Sequence, residues 1–124
     1  MSKHIEVIYN ILPLLSTIEE GLNHIKNQLS ELRYEESFAL IQDAMMGIAS
    51  IESALQPMES QFKELQDSDM IKKKQDLNQY MSTVVNLYEN KKYKELEKKV
   101  NLVLGAFIVW RESIEQIVRP QIIS

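Results

Sequence analysis

Apolar residues recur at alternating spacings of three and four along most of this chain. Ile8, Ile11, Leu15, Ile18, Leu22, Ile25, Leu29 and Leu32 form the first run. Ile41, Ala44, Ile48, Ile51, Leu55, Met58, Phe62 and Leu65 form the second. Leu77, Met81, Val84 and Tyr88 make a shorter third, and Tyr93, Leu96, Val100, Val103, Phe107, Trp110, Ile114 and Ile117 make the fourth. This spacing puts each set on one face of an α-helix, and no period-2 alternation competes with it. Breaks fall at Arg33-Tyr34, at Gln66–Asp69 and at Glu89–Lys92. The pattern predicts helices over 4–31, 34–65, 69–89 and 92–119. Short connections make sequential helices antiparallel. The expected fold is all-α: one up-down-up-down four-helix bundle spanning 1–124, with Ile25, Ile48, Ile51, Val84, Phe107 and Trp110 at its centre.

Two details test that expectation. Pro13 sits in the first stripe, where it should kink the helix or begin it. Pro57 sits inside the second, and a kinked continuation through it is favoured over a break followed by a short helix. Asp67 or Ser68 is the expected N-cap of the third helix. The halves also align at an offset of 59 residues: Ile18 on Leu77, Leu22 on Met81, Ile25 on Val84, Tyr34 on Tyr93, Ile48 on Phe107 and Ile51 on Trp110. Any two hairpins with such stripes align apolar on apolar, so duplication and coincidence both remain open. The Tyr34/Tyr93 match at the turns goes beyond stripe agreement.

The residues that carry chemistry are sparse. There is no Cys, which excludes disulfides, thiolate metal sites and Cys nucleophiles. A di-metal carboxylate bundle needs Glu-x-x-His pairs facing inward. Only His4 and His24 are present, and His24 follows Glu20 at a spacing of four. The offset places Glu20 on Gln79 and Glu52 on Arg111, so no symmetric carboxylates remain. The expectation is no metal, no cofactor and no enzyme activity. Gly21, Gly47 and Gly105 are isolated within helical patterns; close helix approach is the favoured use of Gly47 and Gly105. The small residues Ala44, Gly47, Ala49, Ser50 and Ala54 thin one side of the second helix, which would also suit a partner helix. Met45, Met46, Met58 and Met81 are expected to fill the core, with an adaptable peptide groove as the alternative.

Charge is uneven. Residues 1–62 carry three basic and nine acidic residues, while residues 63–124 carry eleven and nine. The net charge of −4 argues against a general nucleic-acid binder. Glu95 and Glu97 interleave with the group Lys91, Lys92, Lys94, Lys98 and Lys99, and both this group and Lys72–Lys74 read as solvated helix faces. Glu6 interrupts any signal-peptide core, and no run reaches the length of a membrane span. A cytoplasmic location follows as the default.

The middle of the fourth helix, Val100–Trp110, is apolar nearly all round. Leu102 and Val109 point away from its inward stripe, and Leu104 and Ile108 widen the apolar arc. These four residues are the candidate interaction surface, with a symmetric homodimer the expected occupant. The competing expectation is internal cover by the second helix or by the Ile122-Ile123 tail.

The stretch Glu31-Leu-Arg-Tyr-Glu-Glu-Ser-Phe through Ile51-Glu-Ser-Ala-Leu-Gln-Pro57 resembles small uncharacterised helical-bundle proteins of Gram-positive Bacillota. That resemblance implies an all-α bacterial protein and carries no activity. In size and helix content alone the chain is also similar to flagellar export chaperones. The functional expectation is a non-catalytic protein-interaction, adaptor or chaperone-like module. A small-molecule or metal-binding bundle, and an anionic-surface or nucleic-acid binder, are the alternatives.

Overall fold

The apolar stripes fold as four helices in the computed structural model, which describes residues 4–122: α1 (His4–Ser30), α2 (Tyr34–Leu55), α3 (Ser68–Glu89) and α4 (Leu96–Val118). They run up-down-up-down, and among the described residues there is no strand. α1 packs closely on both α2 and α4, and α3 packs closely on α4, while α2 and α3 touch far less. The core follows the stripes. Ile25, Ile48, Ile51, Val84, Phe107 and Trp110 are all buried. α1 continues through Pro13, whose carbonyl accepts a hydrogen bond from Thr17 Oγ1 at 3.1 Å. Leu32, the last member of the first stripe, departs from the expectation and is 70% exposed.

Leu32 is exposed because it turns the chain. Its φ is 61°, and Arg33 N–H reaches back to the Gln28 carbonyl at 2.9 Å while Leu32 N–H reaches that of Leu29 at 3.0 Å. This pair of bonds around a left-handed residue satisfies carbonyls that the helix end leaves open. The second hairpin repeats it at the same offset. Lys91 has φ 54°, with Lys92 N–H on the Leu87 carbonyl at 2.8 Å and Lys91 N–H on that of Tyr88 at 3.1 Å. Neither turn uses Gly, so each holds a side chain where the left-handed backbone is disfavoured.

The expected kink at Pro57 is instead a break. α2 ends at Leu55, a 3-10 turn covers Gln56–Met58, and a second covers Lys63–Gln66. Proline has no N–H to offer the Ser53 carbonyl, and its ring crowds that carbonyl in a continuing α-helix. The released segment buries Met58, Phe62 and Leu65, and Phe62 meets the His4 ring edge-on at 6.2 Å. α3 then starts at Ser68, with Asp67 as N-cap and no side-chain capping bond.

Gly47 does mark a close approach: a Cβ there would lie 2.9 Å from Ile18 Cδ1. Gly105 does not, since nothing lies within 4 Å of the position its Cβ would take. One polar link is buried between the hairpins: Tyr88 donates to Ser37 Oγ at 2.7 Å, and Ser37 donates to the Tyr34 carbonyl at 2.9 Å.

Candidate functional site

The 59-residue offset makes the α1/α4 seam the counterpart of the α3/α2 seam, and the two are built differently. In the first, Leu15 is fully buried. Arg111 on α4 crosses to α1, donating to Glu19 Oε1 at 3.1 Å and Ser16 Oγ at 2.8 Å. Glu115 Oε1, one turn further along α4, holds the guanidinium from behind at 3.1 Å. Charge-assisted bonds of this kind fasten a seam whose apolar residues already interlock.

In the α2/α3 seam each of these parts is exchanged. Leu15 corresponds to Lys74, Arg111 to Glu52, Glu19 to Asn78 and Ser16 to Gln75. Lys74 does not bury its ammonium; its side chain is 47% exposed and stands at the rim. The seam is left partly open as a groove formed by two hollows that share Glu52. One, of about 300 Å3, is lined by Leu55, Leu65, Met70, Ile71, Lys74 and Trp110 among others. The next, of about 250 Å3, lies between Met45, Ile48 and Ala49 of α2 and Asn78, Met81 and Ser82 of α3. The floor is apolar, since Ile48, Leu55, Met70, Met81 and Trp110 are buried core residues, whereas Met45 and Ile71 stand exposed at the edge.

Glu52 is the polar group of this groove that has least support. One oxygen lies 3.7 Å from Lys74 Nζ, and the other, Oε1, is buried with no hydrogen-bond partner. Burying a polar oxygen without a donor is costly, and such atoms are rare in folded proteins. Among the described residues no three His, Cys, Asp or Glu side chains gather into a metal set. His24 lies on an exposed face of α1, away from the groove.

The surface expected on α4 is only partly present. Leu102 and Val109 are 39% and 46% exposed and line a shallow hollow with Gly105 and Tyr80. Leu104 is instead a buried core residue, and Ile108 is half-buried against the core. The reason is that α4 lies between α1 and α3, so its buried arc is wider than one stripe. Among the described residues neither expected cover closes over Leu102 and Val109. Ile122 packs against the core, and Ile123 lies outside the described residues. The methionines divide as well: Met58 and Met81 are buried, but Met45 and Met46 are exposed. Two of the three lysines of α3 are held by acids on their own helix, Lys72 by Asp76 at 3.0 Å and Lys73 by Asp69 at 2.8 Å.

Sequence reasoning did not find the groove, although its signal was present. Aligning Glu52 on Arg111 reads as a lost carboxylate pair; it is also a seam that has lost its cation. α2 gave a second hint. Tyr34–Met58 is the one segment among the described residues long and apolar enough to cross a membrane, with a mean hydropathy of 1.2 in its most apolar window. Core helices of soluble proteins pass the same test. Only 28% of that window is buried here, so α2 carries apolar surface beyond what the bundle uses.

Residues 6–113 match the model of a family described as Domain of unknown function (DUF8042). No curated protein and no solved structure matches the chain.

Proposed function

The chain belongs to the DUF8042 family, and on that footing we propose that it is a non-catalytic interaction module whose α2/α3 groove receives an amphipathic helix from a partner protein. The observation that carries this reading is the half-open seam, where an apolar floor reaching Trp110 lies between two helices that are otherwise neighbours in the bundle. A helix laid along such a groove inserts apolar side chains at i, i+3, i+4 and i+7. Met45, Met70 and Met81 line its wall and floor, and unbranched thioether side chains adapt to varied partner shapes. The Cys-free, Lys-, Ile- and Asn-rich composition supports a cytoplasmic setting in a Gram-positive Bacillota host.

The test is site-specific photocrosslinking in the native cell. A benzophenone amino acid at Met45 or Ile71 is expected to capture a helical segment of one partner. The same probe at Asn23, on the exposed face of α1, is expected not to. Equal capture from all three positions, or none from the groove, would refute the reading.

A second surface supports a second reading, self-association through α4. Leu102 and Val109 flank Gly105, above which there is open space. In an antiparallel pair about a twofold axis at Gly105, Leu102 falls at a height between the partner's Gly105 and the partner's Val109 and packs against that exposed stripe. Lys98 then faces the partner's Glu112, and neither makes an ion pair among the described residues of its own chain.

A further inference from the structure

The two seams, compared position by position, say what the groove lacks. On the α1/α4 side an acid on one helix, Glu19, is met by a guanidinium from the other, Arg111, at 3.1 Å. On the α2/α3 side the acid is Glu52, now on the helix where the cation stood, and the facing counterpart positions are Gln75 and Asn78. Lys74 reaches one carboxylate oxygen from the rim at 3.7 Å, and the inner oxygen, Oε1, is buried without a donor.

Resting on the groove reading above, we propose that the partner helix carries a basic side chain, Arg or Lys, which inserts beside Glu52 and donates to Oε1. The donor thus comes from outside the chain, in the role that Arg111 plays at the α1/α4 seam. Three observations converge on a cationic occupant. Glu52, the residue that holds the unpartnered oxygen, lines both hollows, so a helix seated along the groove passes over its carboxylate. The charges lining the larger hollow are Glu52 and Glu59 against Lys74 alone. The hairpin that supplies α2 is the acidic half of the chain, with nine acids to three bases in residues 1–62. An apolar helix without a base would seal Oε1 further from water and still leave it unpaired, which disfavours that occupant. Arginine matches the site better than lysine, because its fork reaches a carboxylate with two donors.

The probe is a displayed library of amphipathic helical peptides, selected against the wild-type chain and against Glu52→Gln. A benzophenone at Ile71 reports whether selected peptides sit in the groove. The wild type is expected to enrich peptides with apolar residues at helical spacing and Arg or Lys at one fixed position between them. Against Glu52→Gln the preference for a base at that position should vanish. Replacing the base by norleucine in a selected peptide should weaken binding to wild type by about tenfold or more. The same replacement should change binding to Glu52→Gln by less than about threefold, as a coupling cycle requires. The norleucine arm uses the unaltered protein, so it stands even where the variant folds poorly. Peptides that crosslink in the groove with no preference for a base would overturn this inference and leave the groove reading intact. Selected peptides that never crosslink from Ile71 would overturn both.

Discussion

Tyr34 and Tyr93 lie face to face, with ring centroids 4.0 Å apart and planes 7° from parallel. Each stands two residues after the left-handed residue of its hairpin turn, Leu32 or Lys91, and the two are counterparts at the 59-residue offset. Two copies of one turn therefore meet through the same side chain. Matching φ values, matching back-bonded carbonyls and a self-paired aromatic together exceed what coincident apolar stripes produce. The two hairpin turns are thus built alike and touch through corresponding side chains.

The tyrosine stack should be measurable as a coupling. Tyr34→Ala and Tyr93→Ala are each expected to destabilise the fold, and the double variant by less than their sum. The difference should be about 0.5–1.5 kcal/mol, the range for a paired aromatic beyond its area burial. Urea denaturation of the four proteins gives it directly. A coupling near zero would make the stack incidental.

The two seams should respond oppositely to losing their charged residue. Arg111 is 20% exposed at its side chain and holds Ser16, Glu19 and Glu115. Arg111→Met should cost about 1–3 kcal/mol, because it strands partly buried carboxylates. Glu52→Leu should be neutral or stabilising by about 1 kcal/mol, since it removes a buried oxygen that has no donor. The same change should abolish partner capture from Met45 and Ile71. Stability kept or gained while binding is lost marks a residue retained for function.

Alkaline pH should weaken the link between the hairpins through Tyr88. Burial raises the pKa of its phenol above the ordinary value near 10, an effect only partly offset by the bond to Ser37. A group whose pKa is raised in the folded state favours folding below its unfolded pKa, and that contribution is lost as pH climbs through the folded value. Wild-type stability is therefore expected to fall above about pH 10. Tyr88→Phe should be less stable at pH 7 by about 1 kcal/mol and should lose less between pH 9 and pH 11. Parallel slopes in denaturation midpoints over that range would contradict this account of Tyr88.

Self-association through α4 predicts a dimer by light scattering. Val109→Glu should yield a monomer that remains fully helical. Lys98→Glu should weaken the dimer, and adding Glu112→Lys to it should restore it, because the twofold pairs those positions across the interface. A wild-type monomer at high protein concentration would exclude this reading.

Periodicity was enough to determine the fold class, the four helices and the six central core residues, and the short breaks between the stripes gave the antiparallel order. Helix face and connection length are both set locally, by spacing along the chain. The break at Pro57 was not legible, because a proline in a stripe permits either a kink or an end. What decided it was the burial available to Met58, Phe62 and Leu65 once the helix stopped. Leu104 and Leu102 look alike in sequence, two apolar neighbours off the main stripe. Only the packing of α4 between α1 and α3 sends one into the core and leaves the other in solvent. The groove belongs to the same class. Glu52, Lys74 and Asn78 become a site because two seams that correspond at the 59-residue offset receive different partners across them, and a pairing between helices is a property of tertiary structure.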